Sequence, residues 1–189
     1  MEYTATEYWD EALWSRAEEI YRESFPEHGR KNRAIVRRMF ERRICALHVL
    51  EESGEAAAMA LTAFDDHSNT LIVDYLAVRR SRRGRGVGRE MLRRIREWAI
   101  GEKPECLGMV IEVEADPSEE NEARIRFWER IGFRLTDYVK SYIWVPETYR
   151  AMTLGFDEDK PLTNDGRELF KAIVRYHEKA YRSGSKPVR

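Results

Sequence analysis

The chain has 189 residues, 42% of them hydrophobic and 35% charged, a balance that supports one packed core and excludes wholesale disorder. Its 33 basic and 34 acidic residues leave a net charge of −1, which argues against a bulk electrostatic grip on nucleic acid and leaves only a local patch for one. Two cysteines, Cys45 and Cys106, make no disulfide framework, and the four histidines show no metal spacing. The longest apolar run, 56–61, falls far short of the roughly 20 residues of a membrane span. The N-terminal stretch is polar and acidic, unlike a secretory leader, so a cytoplasmic protein without metal or membrane partner is expected.

The spacing predicts a helix over 10–24, with Asp10 as N-cap, Leu13, Ala17, Ile20 and Tyr21 on one face, and Pro26 as its stop. A second helix, 31–43, carries Ile35, Val36, Met39 and Phe40. Strands follow at 44–51 and 56–64, joined by a turn at 52–54. The alanines of 56–60 favour helix by propensity, but the short turn favours a strand. Residues 71–78 are apolar and β-branched, a stronger strand signal. A helix over 87–100, a strand over 108–114 and a helix over 121–131, stopped by Gly132, come next. Strands at 133–144 and 149–156, a polar stretch at 157–166, a helix at 165–181 and a loose tail at 182–189 complete the chain. Strand, loop, helix and strand over 71–114 form a crossover unit, so its two strands are expected to be parallel neighbours in a mixed sheet.

The most informative stretch is the loop at 79–88. Gly84, Gly86 and Gly88 alternate, five arginines lie between 79 and 85, and a helix starts at Val87. Glycines allow a tight backbone turn, and the unpaired N–H groups of a helix start favour an anion. Arginines add bidentate donors, so the loop reads as a pyrophosphate cradle. Gly88 is followed by Arg89 and Glu90, not by the Lys-Ser/Thr of a nucleotide-triphosphate loop, and the glycine spacing differs from that of a dinucleotide fold. An ordinary strand-to-helix turn with a solvated basic face is the plain alternative, and it fits Arg93, Arg94 and Arg96 best.

Arg83-x-x-Gly86-x-Gly88, preceded by the strand Tyr75-Leu76-Ala77-Val78, resembles the acetyl-CoA signature of the GNAT acetyltransferase superfamily. Asn121, Phe127, Trp128, Gly132 and Phe133 resemble that family's later helix and its exit. The likeness spans roughly 3–155, which implies an acetyltransferase domain over 1–156 and a C-terminal helical extension over 157–189 packed on it. The implied fold is α/β, with a mixed, mostly antiparallel sheet, a splayed parallel strand pair and helices on both faces. The implied activity is transfer of acetyl from acetyl-CoA to a primary amine by direct attack, with a non-catalytic acyl-CoA-binding module as the alternative.

The resemblance also implies roles. Backbone groups of Leu76 and Val78 would pair with the pantetheine arm, and an N–H near Leu76 or Ala77 would polarise the thioester carbonyl. Arg83, Gly84, Arg85, Gly86, Val87 and Gly88 would hold the phosphates, with Phe127 and Trp128 along the cofactor wall. Asn121 would bond the pantetheine or simply cap its helix. An alkyl amine of pKa ~10.4 must lose a proton before it attacks, which costs about 4.6 kcal/mol at pH 7, so a base matters. Glu112 is the first candidate and Asp74 the second, each with an ion pair as the plain alternative. Trp128 stands where the family often has a tyrosine acid; Tyr75, Tyr138 or Tyr142 are the substitutes, or the thiolate leaves unaided.

Six acids between 112 and 122 oppose the nine arginines of 79–96. An acidic pole there would draw a cationic amine, and a solvated charged loop is the plain alternative. Tyr138, Tyr142, Trp144 and Tyr149 would shape the acceptor side, or serve strand packing or a homodimer surface.

Overall fold

The computed structural model describes residues 1–143 and 145–182. Trp144 and residues 183–189 of the expected loose tail at 182–189 lie outside the described residues. The chain begins with a strand the sequence reading omits, β1 (Glu2–Thr6), which pairs antiparallel with β2 (Ala46–Glu52). Its five residues form an edge strand with no fully buried position, so no apolar alternation marks it.

Helix α1 (Glu11–Ser24) starts where Asp10 accepts from the Leu13 N–H at 2.9 Å and ends just before Phe25-Pro26. Helix α2 (Arg33–Glu41) is capped by Asn32. Strand β3 (Glu55–Asp65) contains the alanine run, buried on both faces of the sheet. Burial there decides against helix propensity, because small side chains let α1 and α3 (Val87–Glu102) pack closely on opposite sides.

The order continues with β4 (Thr70–Val78), α3, β5 (Gly108–Glu114), α4 (Glu119–Glu129), β6 (Arg134–Ser141), β7 (Thr148–Gly155) and α5 (Gly166–Tyr181). The seven strands run β1-β2-β3-β4-β5-β7-β6 across the sheet, and only the β4–β5 pair is parallel. Helices α1, α2 and α5 cover one face, and α3 and α4 the other. Alternation along β5 sends Glu112 to the first face and Ile111 and Val113 to the second.

The parallel pair stays closed only where Thr70–Ile72 meets Gly108–Val110. Opposite β3, the ladder steps from Val73 directly to Tyr75, leaving Asp74 as an extra residue in β4. Such a bulge bends its strand and sharpens its twist. Beyond it β4 and β5 no longer pair, so a wedge opens between Leu76–Val78 and Glu112–Glu114.

Candidate active site

A cleft of about 1210 Å³ occupies this wedge and continues over the start of α3. Gly86 caps α3 with a φ of 80°, a left-handed conformation in which a side chain would be strained. The first N–H groups of α3 have no partner within the helix, and Gly86, Val87, Gly88 and Arg89 line the cleft. Gly88 serves a different purpose: a Cβ there would stand 3.2 Å from the Phe127 ring and 3.4 Å from a Val78 methyl. Its missing side chain lets α3 close on α4 and β4.

The loop arginines divide into two groups. Arg79 pairs with Glu19 at 3.0 Å and Arg82 with Glu52 at 2.7 Å. Arg83 donates to the Val78 carbonyl and to Ser24, and among the described residues no carboxylate pairs with Arg83, Arg85 or Arg89. Arg83 and Arg89 line the cleft together with Gly84, Gly86, Val87 and Gly88, whereas Arg85 does not. On the outer face of α3, Arg93 and Arg94 are held by Glu90, as a solvated helix face would be.

The phase of β4 follows from one bond. The Arg79 N–H donates to the Ala57 carbonyl at 2.8 Å, so Ala77 and Tyr75 also direct their backbone groups towards β3. Leu76 and Val78 then direct theirs into the wedge. Among the side chains there, Glu112 is held at both ends of its carboxylate. Oε1 accepts from the Tyr142 hydroxyl at 2.6 Å, and Oε2 lies 3.1 Å from Nε2 of His177 on α5. Burial and the Glu112 carboxylate push the Tyr142 phenol far above its ordinary pKa, so it stays a donor. Glu114, Glu147 and Tyr149 continue this side of the cleft. Burial and the carboxylates of Glu147, Glu114, Glu112 and Asp116 push Tyr149 up to about 12. The neighbouring Glu120 and Glu122 are paired with Arg124 and Arg126.

Other expectations are corrected by position. Asp74 is not in the cleft. Its carboxylate accepts from Lys31 Nζ at 2.8 Å and from Tyr176 at 2.6 Å, and its side chain is 6% exposed. Alternation from Ile72 puts it on the α1–α5 side of the core, and the bulge brings Tyr75 to the same side. Asn121 neither caps α4 nor lines the cleft: Ser118 is the cap, and Asn121 donates to the Asp116 carbonyl and accepts from Arg124. Trp128 packs in the core against Phe127 and Phe133, and Phe127 supplies the cleft wall instead. Tyr75 bonds Gly29 and Lys31, and Tyr138 meets Phe170 edge-on, both outside the cleft. The sequence reading missed His177 and the cleft residues Ser24, at the end of α1, and Phe25 and His28 after it. A lone histidine on an amphipathic helix carries no signal of its own.

A glycine-rich helix start beside an open strand edge and a carboxylate fits a transferase that takes a phosphate-bearing donor along a split sheet. The sequence profile of the acetyltransferase (GNAT) family matches residues 9–133, and the chain belongs to that family. It is thus an acetyltransferase, and acetyl-CoA is the donor such enzymes use. No curated protein sequence matches the chain. A solved structure from Bacteroides thetaiotaomicron, described as a GNAT-family acetyltransferase, superposes with a TM-score of 0.73 at 20% identity, over 97% of this chain and 100% of that one. An acetyltransferase structure from Salmonella typhimurium, with its cofactor acetyl-CoA, gives 0.60 at 22% identity over 84% and 96%. The ribosomal-protein-S18-alanine N-acetyltransferase of Escherichia coli gives 0.55 at 17% identity over 84% and 98%. These likenesses establish a common fold.

Proposed function

We propose that the protein transfers acetyl from acetyl-CoA to the primary amine of a cationic acceptor by direct attack, with Glu112 taking the amine proton. The observation that carries this is the position of Glu112 on the wedge, across from the open backbone groups of Leu76. When bound, acetyl-CoA supplies the thioester carbonyl that the amine attacks. The free N–H groups at the start of α3, with Arg83 and Arg89, hold its phosphates. Val78 and Leu76 receive the pantetheine arm as an added strand, and the Leu76 N–H polarises the carbonyl, since Ala77 is committed to β3.

Glu112 offers a carboxylate at the one place where the amine must shed its proton. Each carboxylate oxygen has a second acceptor position beyond those used by Tyr142 and His177. Burial and the neighbouring carboxylates raise Tyr149 to about 12, and a thiolate whose conjugate acid has a pKa of ~8.5 is a tolerable leaving group without an acid. The thiolate therefore leaves unaided and is protonated from water. The acids gathered around Tyr149 support an acceptor carrying a second positive charge, although Arg124 already pairs with Glu114 at 3.8 Å.

The test compares 1,5-diaminopentane with 6-aminohexanoate, followed as CoA thiol released. The diamine should be acetylated with the higher kcat/KM, and Glu112→Gln should lower its kcat by roughly 10²–10⁴-fold with the acetyl-CoA KM unchanged. Equal use of the two amines removes the cationic preference. Tight acetyl-CoA binding without turnover of any amine would instead favour a non-catalytic acyl-CoA-binding module.

A further inference from the structure

The family profile ends at residue 133, yet a group from beyond it reaches the carboxylate on which the proposed reaction turns. Helix α5 is fastened to the first face of the sheet by Leu169, Phe170, Ile173 and Tyr176, all buried. Tyr176 donates to Asp74, and Arg175 bonds Asp65 at 2.6 Å. These anchors place the next residue, His177, with Nε2 at 3.1 Å from Glu112 Oε2. Tyr142, whose ring meets His177 edge-on at 6.4 Å, holds the other oxygen.

We infer that His177 is a positioning residue for Glu112, so that α5 is part of the catalytic apparatus and not only a cover for the sheet. The inference rests on Glu112 being the base. A glutamate on a strand has a fixed Cα but three free side-chain torsions, and an unheld carboxylate samples many orientations. With Glu112 ionised, the His177 Nε2–H donates to Oε2 and the Tyr142 O–H donates to Oε1. The two donors fix the plane of the carboxylate and leave the remaining acceptor position on each oxygen for the amine or a bridging water. His177 is itself partly exposed, with 24% of its side chain accessible, and it is not among the α5 residues that form the core. Its removal leaves the anchoring of the helix intact.

The experiment has a structural arm and a kinetic arm. In the free protein, imidazole ¹⁵N resonances of His177 should show Nε2 protonated and hydrogen-bonded, and Glu112→Gln should shift them. With acetyl-CoA and 1,5-diaminopentane, His177→Ala should lower kcat roughly tenfold with both KM values and the urea midpoint near wild type. His177→Gln, which returns an N–H donor, should recover most of that loss. In the Glu112→Gln background, His177→Ala should cost nothing further. Unshifted His177 resonances, or an unchanged kcat for His177→Ala where Glu112→Gln is impaired, would overturn the inference. An undiminished kcat for Glu112→Gln would bring down the reading of Glu112 as base itself, and this inference with it.

Discussion

Asp74 and Glu112 are both acids in apolar strands, and their surroundings give them different work. The Asp74 carboxylate is sealed against a lysine whose side chain is 2% exposed, and Lys31 also lies over the rings of Tyr75 and Tyr176. Breaking a buried pair leaves an uncompensated charge, so Asp74→Asn should cost about 3–5 kcal/mol of stability by urea unfolding. A catalytic Asp74 would instead lose turnover at unchanged stability. A strand acid in the sequence announces that it needs a partner; it does not say whether the partner is a lysine or a substrate. The partners that take Asp74, Lys31 and Tyr176, stand 43 and 102 residues away, which is why this choice was not legible. His48 makes a second residue-scale prediction. Burial pushes its imidazole down to about 3, between Tyr3 and Thr62. The unfolded chain protonates this group near pH 6.5 and the folded chain does not, so stability should fall as the pH drops from about 6.5 towards 3. Urea midpoints at about pH 7.5 and 5.5 should differ, and His48→Gln should narrow the difference.

Among the elements, α5 depends most on specific polar contacts. Burial raises the Asp65 carboxyl, but hydrogen bonds from Arg175 and Ser68 outweigh it and hold the group below its usual value. That stabilisation is complete above the unfolded pKa of about 3.9 and disappears as pH falls through the lowered folded value. Arg175→Gln should therefore lower the thermal midpoint by roughly 2–4 °C at neutral pH, and the gap to wild type should close in acid. A gap that persists in acid would mean that Arg175 acts through packing. Most elements were legible because their periodicity is strong. The alanine strand was decided by its short turn, and burial on both faces explains the choice of residue. β1 was not legible because a polar edge strand needs no alternation, and α4 starts at Glu119 rather than Asn121 because the Ser118 hydroxyl caps it by taking the Asn121 N–H.

At the scale of the molecule, near-neutral charge conceals local clustering, with the glycine–arginine start of α3 and the acids of β5 lining one cleft. The glycine–arginine loop at the start of α3 was legible as one unit because its residues are consecutive. The cluster around Glu112 was not, since it joins β5, the segment after β6 and α5, which only the fold brings together. Among the described residues no helix is long and apolar enough to cross a membrane. The central claim is that the cradle and wedge bind acetyl-CoA, and calorimetric titration of the whole chain tests it most directly. Wild type should bind in the micromolar range. Gly86→Glu, which strains the left-handed cap and sets a negative charge in the cradle, should abolish binding, Arg83→Ala should weaken it about tenfold, and Glu112→Gln should leave it unchanged. No binding by wild type, or equal binding by Gly86→Glu, would contradict the assignment of the cradle.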